Sequence, residues 1–92
     1  MRLTIRGKPW NVYDADLPSR ADEITLGLCH LTERWIGLQH GQKPKVRLNT
    51  LIHELLHAAK PKMSHRNVNA IAAILTDGIW NDKWRQKVKN VT

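Results

Sequence analysis

The sequence predicts an α+β fold, in which a small, mostly antiparallel sheet packs on two main helices. Apolar and polar residues alternate near the start of the chain, apolar residues recur at helical spacing from residue 48, and a typical helix-capping serine follows Pro61. The chain has 92 residues, so we expect a single domain over residues 1–92. Its core is too small for a large internal pocket, and a functional site is expected in a surface cleft.

A β-hairpin is predicted at the start of the chain. Leu3 and Ile5 alternate with polar neighbours, and Trp10 and Val12 resume the alternation after Gly7-Lys8-Pro9. Glycine and proline are common in turns, so we place the turn at these three residues.

Two more short strands are predicted after a polar loop over residues 14–23. Residues 24–31 and 35–38 are mostly apolar, and a tight connection near Thr32 separates them. These segments would complete a four-stranded sheet.

The first helix is predicted to begin near Asn49, a good N-cap residue, and to end at Pro61. One face carries apolar residues at i, i+3 and i+4 spacing: Leu48, Leu51, Ile52, Leu55 and Ala59.

A second helix is predicted from the N-cap Ser64 to about Trp80. Its apolar stripe is Val68, Ile71, Ala72, Leu75 and Ile79. Residues 82–89 would form a last short, basic helix.

The first helix contains the motif His-Glu-x-x-His at His53, Glu54 and His57. Residues four apart lie on the same helix face, so the two imidazoles can bind one Zn²⁺ ion. Glu54 lies about 100° round the helix from His53, where it can accept a proton from a metal-activated water without being a ligand. The motif therefore predicts a zinc site with Glu54 as the general base.

A catalytic zinc needs a third protein ligand. His65 is our first candidate, because it lies in the first turn of the second helix, eight residues after His57. The spacing leaves other candidates open: Asp77, His30, His40 and Asn69. Asp77 has suitable oxygen chemistry but is about three turns further along the helix.

The composition restricts the partners and the compartment. The formal net charge is +7, from 15 Lys and Arg against 8 Asp and Glu, which favours a nucleic acid or an acidic protein as a partner. No apolar run is long enough to span a membrane, so no membrane partner is expected. Residues 1–7 lack the apolar stretch of a secretory signal, and Cys29 is the single cysteine. We therefore expect a cytoplasmic protein.

The chain resembles a known family. Residues 50–58, Ser64, Val68, Ala72 and Trp80 look like the small zincin-like, SprT-like HExxH metallopeptidase proteins of phages and prophages. Gly27-Leu28-Cys29 resembles a strand upstream of the motif in these proteins, and the likeness covers roughly residues 24 to 80. The resemblance implies a minimal zincin-like fold with an edge strand along the cleft. It also implies a host cytoplasm as the location if the protein is phage-encoded. The chain departs from the family pattern after Ser64, where His65-Arg66 stands in place of acidic residues.

These observations predict a zinc-dependent metallopeptidase that acts on a peptide or protein substrate. The substrate would bind as an added strand along the segment Trp35, Ile36, Gly37 and Leu38. Tyr13 or a histidine would stabilise the oxyanion. The alternative is a catalytically inactive binding protein on a zincin scaffold, in which zinc is structural and the partner is a host protein or a nucleic acid.

Overall fold

The computed structural model describes residues 1–18 and 25–91, with side chains through Lys83. The element order is β1 (Arg2–Ile5), β2 (Lys8–Ala15), β3 (Gly27–His30), β4 (Trp35–Gln39), α1 (Pro44–Ala59) and α2 (His65–Val91). The four strands form one mixed sheet in the order β1-β2-β4-β3. The predicted α+β class is confirmed. The predicted loop over residues 14–23 lies partly outside the described residues, and β2 continues through its first two positions to Ala15.

The β1–β2 hairpin is confirmed, but the turn predicted at Gly7-Lys8-Pro9 is wrong. The strands pair from Ile5 opposite Lys8, so the turn is Arg6-Gly7. Both residues have positive φ, 51° and 76°, as a two-residue type I′ turn requires. Arg6 is thus held in a backbone conformation that favours glycine.

The strand predicted over residues 35–38 is present as β4, but its predicted position at the edge of the sheet is wrong. β4 pairs in parallel with β2 and antiparallel with β3, so it lies inside the sheet. Ile36 and Leu38 are buried beneath the helices, and Gly37 is buried on the other face beside Leu17. Trp35 is only partly buried. The edges are β1 and β3.

Helix α1 begins earlier than predicted. Lys43 is its N-cap and Pro44 occupies the first turn, where a proline fits because no backbone donor is needed there. Asn49 therefore lies inside the helix, and its side-chain amide donates to Thr76 Oγ1 of α2 at 3.2 Å. The helix ends before Pro61, as predicted.

Helix α2 has the predicted N-cap, since Ser64 Oγ accepts the backbone N–H of Asn67 at 3.2 Å. Its predicted end near Trp80 is wrong, because one continuous helix runs to Val91 and includes the separate helix expected over residues 82–89. Val68, Ala72 and Thr76 are buried, whereas Leu75 and Ile79 of the predicted stripe are 42% and 47% exposed.

The core lies between the sheet and α1. Its buried members are Trp10, Val12, Ile36, Leu38 and Ala58, and Leu51 and Leu55 pack against them. The two helices run antiparallel, since Lys45 near the start of α1 pairs with Asp77 far along α2. Neither helix, over the residues that the structure describes, has the length and apolar character that a bilayer span requires.

Candidate metal centre

The structure brings three histidines together where the end of α1 meets the start of α2. His53 and His57 are one turn apart on α1, and His65 is the first residue of α2. The turn between the helices folds α2 back on α1, so that one ligand nitrogen from each ring lies within 4.8 Å of the other two. Of the candidates for a third ligand, His65 is the one in this cluster.

The distances suit one metal ion. His53 Nε2 and His57 Nε2 are 3.0 Å apart, and the His57 and His65 ring centroids are 4.7 Å apart. Nitrogens bound to one tetrahedral zinc are about 3.3 Å apart, so small side-chain rotations would bring all three to a common ion. A set of three imidazoles is a chemically suitable donor set for zinc, with a fourth position for water.

The histidines are also suited to binding as neutral ligands. Burial lowers the pKa of His53, and the neighbouring His57 and His65 lower it further. Burial followed by His65 lowers the pKa of His57 in the same way. Lower pKa values leave the ring nitrogens unprotonated near neutral pH, which is the state that binds a metal.

Glu54 lies beside His53 at a cleft between α1 and β3. Its side chain is only 6% exposed, and burial raises its pKa to about 7. The cleft has a volume of about 350 Å³ and is lined by residues of α1 and of the segment entering β3: Thr25, Leu26, Gly27, Asn49, Thr50, His53 and Glu54. Glu54 is therefore a carboxyl group with a raised pKa that shares a cleft with His53 of the histidine cluster.

Gly27 allows β3 to approach α1 closely. A Cβ atom at this position would lie 2.7 Å from Thr50 Cγ2 and 2.9 Å from Glu54 Cγ, so any side chain would displace one or both. In the sequence, Gly27 was singled out only through a resemblance. A glycine inside a predicted strand is a signal for close backbone approach, and it would have identified this contact.

Gln42 connects the same strand to the helix, and no role was predicted for it from the sequence. Thr50 Oγ1 donates to Gln42 Oε1 at 2.7 Å, and Gln42 Nε2 donates to the backbone oxygen atoms of Leu26 and Gln39 at 3.1 and 3.0 Å. These bonds fix the start of β3 relative to α1. Nothing in the local sequence pattern indicates this network.

The other candidate residues lie away from the cluster. Asp77 pairs with Lys45 at 2.9 Å and is exposed, and His40 is exposed after β4. His30 stacks on Trp35 with centroids 5.3 Å apart, while its Nδ1 accepts the backbone N–H of Glu33. Asn69 is exposed on α2, outside the group of histidines.

Tyr13, predicted as one candidate to stabilise the oxyanion, lies on the other face of the sheet. Its neighbour Val12 is buried in the core beneath α1, and side chains alternate along a strand, so Tyr13 points away from the helices. Its ring lies 5.7 Å from the Trp35 ring, between centroids. It cannot act in the cleft beside Glu54.

Comparisons with protein-family models, with curated proteins and with solved structures found no match.

Proposed function

We propose that this protein is a zinc-dependent peptidase. The observation that carries the proposal is the convergence of ligand nitrogens of His53, His57 and His65 within 4.8 Å, while buried Glu54 lines the same cleft as His53. Each chemical role then has a residue of suitable type: three imidazoles hold the ion and one carboxylate moves a proton. The resemblance to SprT-like proteins, and the zincin-like fold that it implies, belong to the same proposal.

Zinc, when bound, supplies a Lewis acid that makes a water molecule more acidic and polarises a carbonyl group. Glu54 accepts the proton from the attacking water and passes it to the leaving amine. Its buried position favours this role, because a pKa near 7 allows a carboxyl group both to take up and to release a proton at neutral pH.

The peptide substrate would bind along β3 and not along β4. β3 is an edge strand next to the cleft, and its first residue touches Thr50 and Glu54 across the Gly27 approach. An edge strand can add an extended peptide through backbone hydrogen bonds. A substrate held there would have its scissile bond near His53 and Glu54.

The cytoplasmic location is also a proposal. It is supported by the single cysteine, Cys29, which is a free thiol and has no second cysteine in this sequence with which to pair.

The first experiment measures the zinc content of purified protein by elemental mass spectrometry. We expect about one zinc per chain in the unmodified protein and in Asp77→Ala, but much less in His53→Ala and His65→Ala. Asp77→Ala is the matched control because it removes another candidate ligand on α2. Zinc that is absent from the unmodified protein, even after its addition, would refute the proposal.

The second experiment separates catalysis from a structural role for zinc. Glu54→Gln keeps the shape of the side chain and removes the base, so zinc should remain while cleavage of a generic protein substrate is lost by a factor of about 100 or more. Full activity in this variant would contradict the mechanism. If neither protein cleaves, but both bind zinc and the same partner, the scaffold-type binding protein is the correct alternative.

A further inference from the structure

We infer that a groove at the opposite end of the sheet from Ala15 binds the phosphate backbone of a nucleic acid. Two adjoining cavities of about 350 and 540 Å³ form this groove, and Arg6 and Pro61 line both. The turns after β1, β3 and α1 supply its walls. We call it the basic groove and define it by its cationic lining residues: Arg6, Lys8, Arg34, Lys60 and Lys62.

The described residues that line the basic groove are cationic or apolar, and none of them is acidic. The apolar floor includes Ile5, Leu31 and Pro61. The described ion pairs are Lys45 with Asp77 and Arg47 with Asp14, so within the described part of the chain the cations of the basic groove have no carboxylate partner. Unpaired cations around a concave surface attract a polyanion.

The backbone conformation of two of these residues is a second, independent observation. Arg6 and Arg34 have φ values of 51° and 58°, in the left-handed region that is unfavourable for residues with a Cβ atom. Arg6 is in the two-residue turn between β1 and β2, and Arg34 is the last residue of the turn between β3 and β4. Both residues line the same cavity. Glycine or asparagine would suit these turns better, so an arginine at either position carries a conformational cost.

A nucleic acid fits better than other anions. Cations distributed over two adjoining cavities match a linear ligand with repeated charges, and the guanidinium fork of arginine can bind phosphate oxygens in pairs. The groove is concave, which disfavours a flat lipid surface. Trp10 is only 5% exposed, so no described aromatic ring of the groove offers a stacking platform. Binding should therefore be insensitive to base sequence.

The test uses fluorescence anisotropy with the full chain as purified and a labelled single strand of about 20 nucleotides. If about four phosphates are contacted, the logarithm of affinity should fall against the logarithm of salt concentration with a slope of about −3. A duplex and a polyglutamate of similar length serve as competitors. Polyglutamate that competes as well as nucleic acid, or vesicles of anionic lipid that bind in preference, would overturn the proposal.

The decisive variant is Arg6→Gly/Arg34→Gly. It removes two charges, and glycine adopts the positive φ of both turns without the conformational cost that arginine has there. The thermal midpoint measured by circular dichroism should therefore be unchanged or higher. Affinity should fall about tenfold or more, and the salt slope should become shallower by about 1.4. Lys60→Gln/Lys62→Gln, at the exposed turn after α1, should act in the same direction.

The control is Arg2→Gln/Lys43→Gln, which removes the same charge from exposed positions outside the groove. It should change affinity by less than about threefold, because only long-range attraction is lost. Equal losses in the groove variant and the control would show that net charge alone causes binding, and would refute the assignment of this surface.

Discussion

Replacing Gly27 with alanine should damage the cleft without touching any of its proposed chemical groups. The new Cβ would lie 2.7 Å from Thr50 Cγ2 and 2.9 Å from Glu54 Cγ, whereas ordinary contacts begin at 3.4 Å. One or both side chains, or β3 itself, must therefore move by about 0.5–0.7 Å. Thr50 and Glu54 are both buried, and Thr50 Oγ1 donates to Gln42 Oε1, so a shift of either side chain disturbs existing packing or this hydrogen bond.

The expected cost of this overpacking is about 1–3 kcal/mol of unfolding free energy. For a domain of this size it corresponds to a fall in the melting temperature of about 5–20 °C. If the proposed peptidase activity is present, it should fall by a factor of about 10 or more, because Glu54 and the edge of β3 are displaced relative to each other. Zinc binding should persist, since no histidine is altered.

Circular dichroism melts of three alanine variants would test the prediction. A Cβ atom added at Gly78, which lies inside α2, would have nothing within 4 Å, so Gly78→Ala should raise the unfolding free energy by about 0.5–1 kcal/mol. At Gly37 the closest atom is Leu17 Cδ2 at 3.0 Å, the end of a flexible side chain, so Gly37→Ala should be intermediate. A melting temperature for Gly27→Ala equal to that of the unmodified protein would refute the close approach of β3 to α1.

The thiol, one surface ion pair and the histidine cluster each give a further prediction. Burial, and then the charge of Glu54, raise the pKa of the Cys29 thiol to about 11. Iodoacetamide at pH 8 should therefore modify Cys29 about 100-fold more slowly than a free thiol. Equal rates in native and guanidinium-unfolded protein would contradict this. The Arg47 hydrogen bond lowers the pKa of Asp14 below 3.8, so this pair stabilises the fold above about pH 4 and its contribution is lost as the pH falls through the lowered pKa. Because both side chains are more than a third exposed, Asp14→Asn should lower the unfolding free energy by less than about 1 kcal/mol at pH 7, and by progressively less as the pH falls below 4. A difference between the two proteins that stays constant as the pH falls, measured by urea titration, would disprove the linkage. Zinc at about 100 times its dissociation constant should raise the melting temperature on the order of 10 °C, and EDTA should reverse the shift; His65→Ala should abolish most of it.

Features that depend only on residues close together in sequence could be predicted from the sequence alone. The spacing of His53 and His57 places both on one helix face whatever surrounds the helix, because helical periodicity is a property of the backbone. The hairpin and the Ser64 cap are also local, and both were predicted, although the turn of the hairpin is Arg6-Gly7 and not Gly7-Lys8-Pro9. The helix boundaries were harder to predict: Asn49 is a good capping residue by type, but Pro44 can begin a helix earlier, and contact with Thr76 gives the asparagine another role.

The order of the strands and the environment of the candidate site arise only in the folded chain. The β4 segment has the pattern of a short strand, but the pattern does not say that β2 and β3 both pair with it, and this pairing transfers the edge to β3. His65 joins the other histidines because α2 folds back on α1, and Glu54 acquires a raised pKa because β3 covers it at Gly27. Strand order, convergence and burial depend on contacts between residues far apart in sequence, which local periodicity cannot encode.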